Sequence, residues 1–212
     1  MYGHDRISMK TMHALVNEMM VSGILQSPEI IDAFSAVDRK YFVPNTIIEH
    51  TYVDAPLSIG NNQTISQPST VAFMLEHLAT QEGDTVLDIG SGSGWTTALL
   101  CYIVGKQGSV TGLERVDDLV KQGKRNLSHV NLHSHCHIQK AGEKLGLPGK
   151  KFDRILVSAS ADEIPEELFL QLKVGGILVI PVRNSIFKFK KISESEVEKE
   201  EFYGFVFVPL IV

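Results

Sequence analysis

The sequence predicts an α/β fold with a doubly wound, mostly parallel sheet, an N-terminal helical segment and a closing antiparallel hairpin. Three observations indicate it: strand-like and helix-like segments alternate over residues 85–182, a glycine-rich turn follows the first of these strands, and two strand-like runs come last without a helix between them. Alternating strands and helices give a parallel sheet with helices on both faces. The length of 212 residues suits a single domain.

Within this domain we expect N-terminal helices in residues 1–44, an active-site and substrate loop in residues 45–68, and a cofactor-binding core in residues 69–212. Apolar residues at helical spacing predict helices over residues 9–22 and from Pro28 onward. Residues 45–68 lack such periodicity and predict a long structured loop. Long loops in compact domains are usually functional or disordered.

The alternating series after the loop is predicted from its runs of apolar residues. A helix follows Pro68; the strands are 85–90, 109–114, 135–140, 152–160 and 177–182, and the later helices are 95–105, 117–130 and about 165–172. The closing hairpin is predicted from residues 187–193 and 202–210, with the charged segment 194–201 as a solvated linker.

Composition limits the classes of partner. The formal net charge of -5 lacks the excess of Lys and Arg expected of a nucleic-acid binder. The chain has no run of 18 apolar residues and its start does not resemble a signal peptide, so we expect a cytoplasmic protein without membrane association. Cys101 and Cys136, the only two cysteines, are expected to be free thiols in a reducing compartment.

The glycine-rich turn Asp88 to Gly94 indicates a cofactor site, because open α/β sheets bind ligands at the carboxyl ends of their strands. Its G-x-G-x-G spacing differs from the G-x-G-x-x-G of dinucleotide folds, and an acid precedes it. S-adenosylmethionine carries an ammonium, a carboxylate and a sulfonium, and Asp88 suits the cationic end. Glu114 ends the next strand, where a carboxylate can accept hydrogen bonds from ribose hydroxyls. The alternative is a plain strand–helix connection capped by Ser91 or Ser93.

The segment Asp54 to Pro68, DAPLSIGNNQTISQP, resembles the signature of the protein-L-isoaspartate O-methyltransferases. Further matches are DRKYFVP at residues 38–44, the glycine turn, QLKVGGILVIPV at 171–182 and VPL at 208–210, so the resemblance covers roughly residues 10–210. It implies a class I S-adenosylmethionine-dependent methyltransferase that methylates the free α-carboxylate of isoaspartyl residues in damaged proteins and releases S-adenosyl-L-homocysteine. It also implies isoaspartyl proteins as partners, and we expect a monomer.

The resemblance assigns roles to individual residues. Ser66 corresponds to the active-site residue. The expected substrate-binding residues are Asp54, Ser58, Ile59 and Gly60. The expected cofactor-binding residues are Gln63, Thr64, Ile65, Thr70, Asp88, Ile89, Gly90, Ser91, Gly92, Gly94, Glu114, Ala141 and Gly142.

Two positions depart from the family pattern. Lys140-Ala141-Gly142 stands where the family usually has Gly-Asp-Gly, so the acid that normally lies beside the adenine is missing. Arg183 follows Val182 where the family tends to have glycine, which can alter the rim of the substrate cleft.

Several alternatives stay open from the residues alone. Ser66 could cap the helix that begins near Pro68 as well as act in catalysis. Trp95 could wall the cofactor pocket or belong to the core. The histidines His129, His133, His135 and His137 could suggest a metal site, but the proposed reaction needs no metal and none is expected. A methyltransferase for another carboxylate, or a non-catalytic cofactor-binding protein, are the rival functions.

Overall fold

The computed structural model describes residues 11–130, 132 and 135–211. They form a seven-stranded sheet with helices packed against it and a separate two-stranded hairpin. The helices are α1 (Met12–Val21), α2 (Pro28–Ala36), α3 (Pro68–Leu78), α4 (Trp95–Val104) and α5 (Asp117–Leu127). The strands are β1 (Leu57–Gly60), β2 (Gln63–Ile65), β3 (Thr85–Ile89), β4 (Ser109–Glu114), β5 (Cys136–Lys140), β6 (Phe152–Val157), β7 (Leu172–Val182), β8 (Ser185–Lys191) and β9 (Val197–Tyr203).

The large sheet has the strand order β5-β4-β3-β6-β7-β8-β9. Strands β3 to β7 pair in parallel, and β8 and β9 add an antiparallel edge. The chain moves outward from β3 to β5 and then returns to β6 on the other side of β3. This reversal opens a crevice at the carboxyl ends of β3 and β6, where ligands bind in such sheets. The predicted fold class is confirmed.

The N-terminal helices pack on the helical layer of the sheet. The side chain of Thr11 caps α1 by accepting a hydrogen bond from the amide of Ala14 at 3.2 Å. Phe34 of α2 is fully buried and meets Trp95 edge to face, with 5.5 Å between ring centroids. The N-terminal segment is therefore anchored directly to the first residue of α4.

The predicted loop 45–68 contains regular structure that periodicity did not reveal. Residues Asn45–His50 form a 3₁₀ segment, and β1 and β2 form an antiparallel hairpin. Asn61 and Asn62, between these strands, have φ angles of 52° and 57°. Asparagine tolerates this conformation and is common in tight hairpin turns, so the turn residues carried a signal although the strands were too short to show alternation.

The closing hairpin exists, but its second strand was misplaced. Most of the expected linker 194–201 lies in β9, and only Phe202 and Tyr203 of the expected strand 202–210 belong to it. Pairing of Ser185 with Tyr203 fixes the register, which aligns Lys188 with Glu200; their side chains form a 2.7 Å ion pair. Charged residues suit β9 because it is an edge strand.

The remaining apolar run turns away from the sheet edge. Residues 204–211, which we call the C-terminal tail, cross the carboxyl ends of β6 and β7. The amide of Ser160 donates to the carbonyl of Val208 at 2.8 Å, and the amide of Leu210 donates to the carbonyl of Ser160 at 2.7 Å. The tail is thereby placed over the crevice.

The expectation of two free thiols is wrong. Cys101 of α4 and Cys136 of β5 form a disulfide, with their Cα atoms 6.0 Å apart. The residues are 35 positions apart in sequence and meet only because α4 packs against β5.

Smaller differences concern element boundaries. The predicted helix near residues 165–172 is a 3₁₀ segment, Glu166–Gln171, and β7 begins directly after it.

Within residues 11–130, 132 and 135–211, no helix has the length and apolar character needed to cross a bilayer.

Candidate functional site

Three cavities adjoin one another at the carboxyl ends of the central strands. The first, here called the cofactor cavity, measures about 310 Å³ and is lined among others by Gln63, Ile89, Gly90, Glu114, Ala141, Gly142 and tail residues 209–211. The turn cavity, about 30 Å³, is lined among others by Thr64, Ile65, Ser66, residues 90–93 and Ser158. The loop cavity, about 270 Å³, is lined among others by Thr64, Ser66, Thr70, Ser158 and residues 206–208.

Shared residues make these cavities a continuous row. Gly90 lines both the cofactor and turn cavities, whereas Ser66 and Ser158 line both the turn and loop cavities. The row therefore runs from the ends of β4 and β5, past the glycine turn, to the loop that precedes α3.

The glycine turn has a backbone that side chains would disturb. Gly90, Gly92 and Gly94 have φ angles of 82°, 51° and 92°. A Cβ at Gly94 would lie 2.9 Å from Cδ1 of Ile138. The amides of Gly90 and Ser91 both donate to the carbonyl of Leu113, at 2.8 and 3.0 Å. The glycines therefore allow the turn to fit closely against β4 and β5.

Glu114 holds the turn from the end of β4. Glu114 is 6% exposed, and its carboxylate accepts hydrogen bonds from the amides of Gly92 at 3.0 Å and Val116 at 2.8 Å. Each carboxylate oxygen has a second lone pair, so Glu114 can also accept from a ligand in the cofactor cavity that it lines.

Asp88 lies beneath the turn and does not line the three cavities. It is fully buried, and its Oδ2 accepts hydrogen bonds from the hydroxyls of Thr96 at 2.8 Å and Thr97 at 2.6 Å. Burial raises the pKa of Asp88 to about 6, although the two threonine hydroxyls oppose this shift.

Three buried polar atoms near the turn lack a hydrogen-bond partner among the described residues: Asp88 Oδ1, Ser91 Oγ and Ser158 Oγ. Ser91 and Ser158 line the turn cavity, as does Thr96, which bonds to Asp88. Buried polar atoms without partners are costly, and a ligand with an ammonium and a carboxylate would supply partners. The residues therefore fit the amino-acid end of S-adenosylmethionine.

The lining of the cofactor cavity combines apolar and basic residues. Ile89, Leu113 and Leu145 line it, and Ala141 occupies the position of the usual family acid. Arg115, Lys140 and Lys144 also line the cavity, and Lys140 pairs with Asp117 at 2.6 Å. The cavity offers apolar surface for an aromatic base, without a carboxylate at position 141.

Ser66 lies between the turn and loop cavities, but it does not cap α3. The residue at the N-cap is Gln67, whose own side chain makes no capping hydrogen bond. Asp54 caps the helix instead: its Oδ1 accepts from the amide of Ser69 at 2.9 Å, and its Oδ2 accepts from the side-chain amide of Gln67 at 3.0 Å. The interpretation of Ser66 as a cap is therefore wrong, because a residue from an earlier part of the loop takes that role.

The four expected substrate-binding residues are not brought to these cavities. Asp54 caps α3, and Ser58 accepts a 3.4 Å hydrogen bond from the amide of Gly60. Ile59 is 4% exposed and packs beneath Gly92, where an added Cβ would lie 3.3 Å from its Cδ1. Their contacts support the surrounding loop and turn.

Sequence reasoning missed two parts of the site. Ser158 follows the carboxyl end of β6, a position that the topology of such sheets could have indicated. The C-terminal tail was assigned to a strand, yet it lines both the cofactor and loop cavities.

Trp95 serves both roles considered for it. It is 1% exposed and donates from Nε1 to the carbonyl of Val37 at 3.3 Å, and it also lines the turn cavity.

Arg183 lies in the tight turn between β7 and β8 with a φ of 54°, a conformation that favours glycine. This explains physically why glycine is usual there.

The histidine cluster gives no metal centre within the residues that the structure describes. His133 lies outside those residues. His129 stacks on Tyr41, with 6.1 Å between ring centroids. The expectation that no metal is needed stays a prediction.

Comparison with known proteins identifies the family. The sequence profile of the protein-L-isoaspartate(D-aspartate) O-methyltransferases matches residues 10–212. The chain is 36% identical to the protein-L-isoaspartate O-methyltransferase of Ignicoccus hospitalis, over 93% of this chain and 95% of the relative. It is 38% identical to the enzyme of the same name from Fervidobacterium nodosum, over 87% and 94%.

A solved structure shows the same architecture. A Plasmodium falciparum protein assigned as a protein-L-isoaspartate O-methyltransferase, solved in complex with S-adenosyl-L-homocysteine, superposes with a TM-score of 0.84. The two are 26% identical, and the match covers 95% of this chain and 99% of that one. The chain belongs to the protein-L-isoaspartate(D-aspartate) O-methyltransferase family.

Proposed function

We propose that this protein transfers a methyl group from S-adenosylmethionine to the free α-carboxylate of isoaspartyl residues in damaged proteins. The observation that carries this proposal is the row of three cavities, in which the glycine turn separates a cavity suited to adenosine from one walled by the signature loop and the C-terminal tail. Membership of the family supports the same reaction.

In the proposed cofactor site, Glu114 would hold the ribose, and the apolar residues near Ala141 and Gly142 would hold the adenine. Gln63, Ile89 and Gly90 also line this cavity. The amino-acid end would be held in the turn cavity, which is lined by Ser91, Gly92, Thr64, Ile65 and Ser158. Gly94 acts through the conformation of the turn, and Thr70 lies on the side of the loop cavity.

S-adenosylmethionine, when bound, supplies the methyl group of its sulfonium. Transfer of this methyl group leaves S-adenosyl-L-homocysteine. A substrate carboxylate with a pKa of about 4 is ionised at neutral pH, so no side chain needs to act as a general base. The protein must instead remove water from this anion and orient it.

Ser66 is the proposed donor to the substrate carboxylate, because this residue lines both the turn cavity and the loop cavity. Its hydroxyl can stabilise the anion without adding a charge. Asp54, Ser58, Ile59 and Gly60 are proposed to assist the substrate by holding the loop in shape. Tail residues 206–208 also line the loop cavity, and we propose that they shield it from water.

A pair of peptides that differ only in an isoaspartyl or aspartyl linkage tests the proposal. An isoaspartyl linkage moves the carboxylate to the α position and adds a methylene to the main chain, so a cleft that grips backbone can discriminate between the two. We expect methyl transfer to the isoaspartyl peptide to be far faster. Equal rates would indicate a methyltransferase for other carboxylates, and cofactor binding without any transfer would indicate a non-catalytic binding protein.

The Ser66→Ala variant tests the assigned role of the serine. Turnover should fall much more than affinity for S-adenosylmethionine, as expected for a group acting mainly in the transition state. Ser35→Ala is the matched control, since Ser35 is an exposed residue of α2 that bonds only its own helix, at the carbonyl of Ile31. A Ser66→Ala variant that loses cofactor affinity in parallel with turnover would contradict this role.

The same proposal extends to partners and location. We propose isoaspartyl-containing proteins as substrates, no nucleic-acid partner, a monomer and a cytoplasmic location. The net charge of -5 argues against nucleic acid, and the charged edge strand β9 disfavours pairing between copies. A disulfide is compatible with the cytoplasm, because intracellular proteins of hyperthermophiles also carry such bonds. Light scattering and cell fractionation test these points.

A further inference from the structure

Arg39 is a buried cation that binds two parts of the loop 45–68 at once. Its side chain is fully buried, and Nη1 donates to the carbonyls of Thr51 at 2.7 Å and Val53 at 3.2 Å. Nη2 donates to the carbonyls of Ala55 at 3.1 Å and Ser66 at 3.0 Å. One guanidinium therefore joins residues 51–55 to the residue proposed to act on the substrate.

The neighbouring contacts fix the same segments. The hydroxyl of Tyr52 donates to Asp38, which directly precedes Arg39, at 2.9 Å. Asp54 lies in the sequence between Val53 and Ala55, whose carbonyls Arg39 binds. It also caps α3, which begins two residues after Ser66. Residues 38–39, 51–55 and 66–69 thus form one connected group, here called the loop clamp, with Arg39 at its centre.

The guanidinium of Arg39 also packs against Trp95, the first residue of α4. Its guanidinium carbon lies 5.3 Å from the ring centroid of Trp95, which directly follows Gly94. Trp95 is itself fixed by the 3.3 Å hydrogen bond to the carbonyl of Val37. Arg39 is therefore packed between the residue that starts α4 and the backbone of Ser66.

Arginine is well suited to this position. A guanidinium presents five donors in a rigid plane and can stack on an aromatic ring, whereas the ammonium of lysine has three donors on a flexible stem. Burial lowers the pKa of Arg39 to about 10, while Asp54 opposes that shift, so the side chain stays charged at neutral pH. A buried charge without hydrogen bonds would strongly destabilise the fold. The loop carbonyls must therefore stay within hydrogen-bonding distance of the Arg39 guanidinium.

We propose that Arg39 is a positioning residue for methyl transfer, which sets the backbone of Ser66 relative to the glycine turn. This inference rests on the function proposed above. Arg39 lines neither the cofactor cavity nor the turn cavity, so we expect it to govern turnover of the substrate and not the affinity for the cofactor.

The test compares Arg39→Lys and Arg39→Met with the wild-type protein. Cofactor binding by calorimetry counts the folded molecules, and kcat for the isoaspartyl peptide is expressed per cofactor site. We expect kcat to fall by roughly 100-fold in Arg39→Met and by less in Arg39→Lys, because lysine restores part of the hydrogen bonding. The dissociation constant of the cofactor should stay close to the wild-type value.

Lys121→Met is the matched control, since it removes an exposed cation of α5 that pairs with Asp118 at the surface, outside the loop clamp. It should leave kcat unchanged. Hydrogen exchange gives a readout that needs no activity: amides in residues 51–66 should exchange faster in Arg39→Lys, while those of β3 and β4 stay protected.

The outcomes are distinct. A wild-type protein without isoaspartyl turnover would count against the proposed function, and hydrogen exchange would still test the loop clamp. Parallel loss of cofactor affinity and turnover in Arg39→Lys would overturn the positioning role, because Arg39 would then support the whole fold. Normal kcat with unchanged exchange in that variant would overturn it as well.

Discussion

The carboxylate of Glu114 and the backbone amide of Gly92 form a hydrogen bond, with 3.0 Å between Oε2 and the nitrogen. The residue at the end of β4 therefore shapes the glycine turn as well as lining the cofactor cavity. A substitution at Glu114 should affect the cofactor through both routes.

We expect Glu114→Ala to weaken S-adenosylmethionine binding by about 1 to 3 kcal/mol, because charged hydrogen bonds to ligand and turn are lost together. Glu114→Gln retains an acceptor and should fall between this variant and wild type. Calorimetric titration checks both. Unchanged affinity in Glu114→Ala would remove this residue from the cofactor site.

Asp88 predicts a dependence of stability on pH. Burial raises its pKa in the folded protein from 3.8 to about 6. The folded state therefore binds the proton more tightly than the unfolded state, so this carboxyl favours folding below pH 4 and loses that contribution as the pH rises through about 6. A shift of about two units corresponds to about 3 kcal/mol.

Asp88→Asn removes this titration. Between pH 4 and pH 7.5, the difference in free energy of unfolding, variant minus wild type, should increase by about 2 to 3 kcal/mol. Urea denaturation of both proteins across that range provides the measurement. A constant difference across the range would contradict the raised pKa of Asp88.

Gly94 and Gly149 separate backbone strain from steric conflict. Both have positive φ angles, 92° and 87°, but a Cβ at Gly149 would meet no atom within 4 Å, whereas one at Gly94 would lie 2.9 Å from Ile138. We expect Gly149→Ala to lose about 1 kcal/mol of stability through strain alone. Gly94→Ala should lose roughly 1 to 3 kcal/mol more through overpacking. Equal losses in denaturation experiments would mean that Ile138 yields without cost.

The disulfide between Cys101 and Cys136 should contribute substantially to stability. It links residues 35 positions apart, and the chain-entropy relation gives about 4 kcal/mol for a loop of this size. Reduction, or the double variant Cys101→Ala and Cys136→Ala, should lower the midpoint of thermal unfolding. Thermal unfolding with and without reductant measures the loss, and the double variant should no longer respond to reductant. A wild-type midpoint that is insensitive to complete reduction would contradict this contribution.

Some elements could be predicted from neighbouring residues alone. The predicted strand 109–114 has its observed bounds, because its apolar residues stop just before Glu114 and a helix begins soon after it. The turn at Asp88 to Gly94 could be located from its glycines, which adopt positive φ angles there. The cofactor edge of the sheet follows from the alternation of strands and helices.

Tertiary structure alone decided the contacts between distant segments. The charged residues of β9 resemble a solvated linker in the sequence. Their pairing with β8 shows that they form an edge strand, where charged side chains are common. The apolar tail could be identified as a cavity wall only once that register was fixed.

The sequence by itself therefore determined the fold class, the family resemblance and the place of the glycine turn, each of which depends on residues close together in the chain. Only the folded structure decided that Cys101 meets Cys136, that Asp54 rather than Ser66 caps α3, and that Arg39 binds the carbonyl of Ser66. These contacts join residues 13 to 35 positions apart, and packing geometry decides which of them meet, which no local pattern of residue types records.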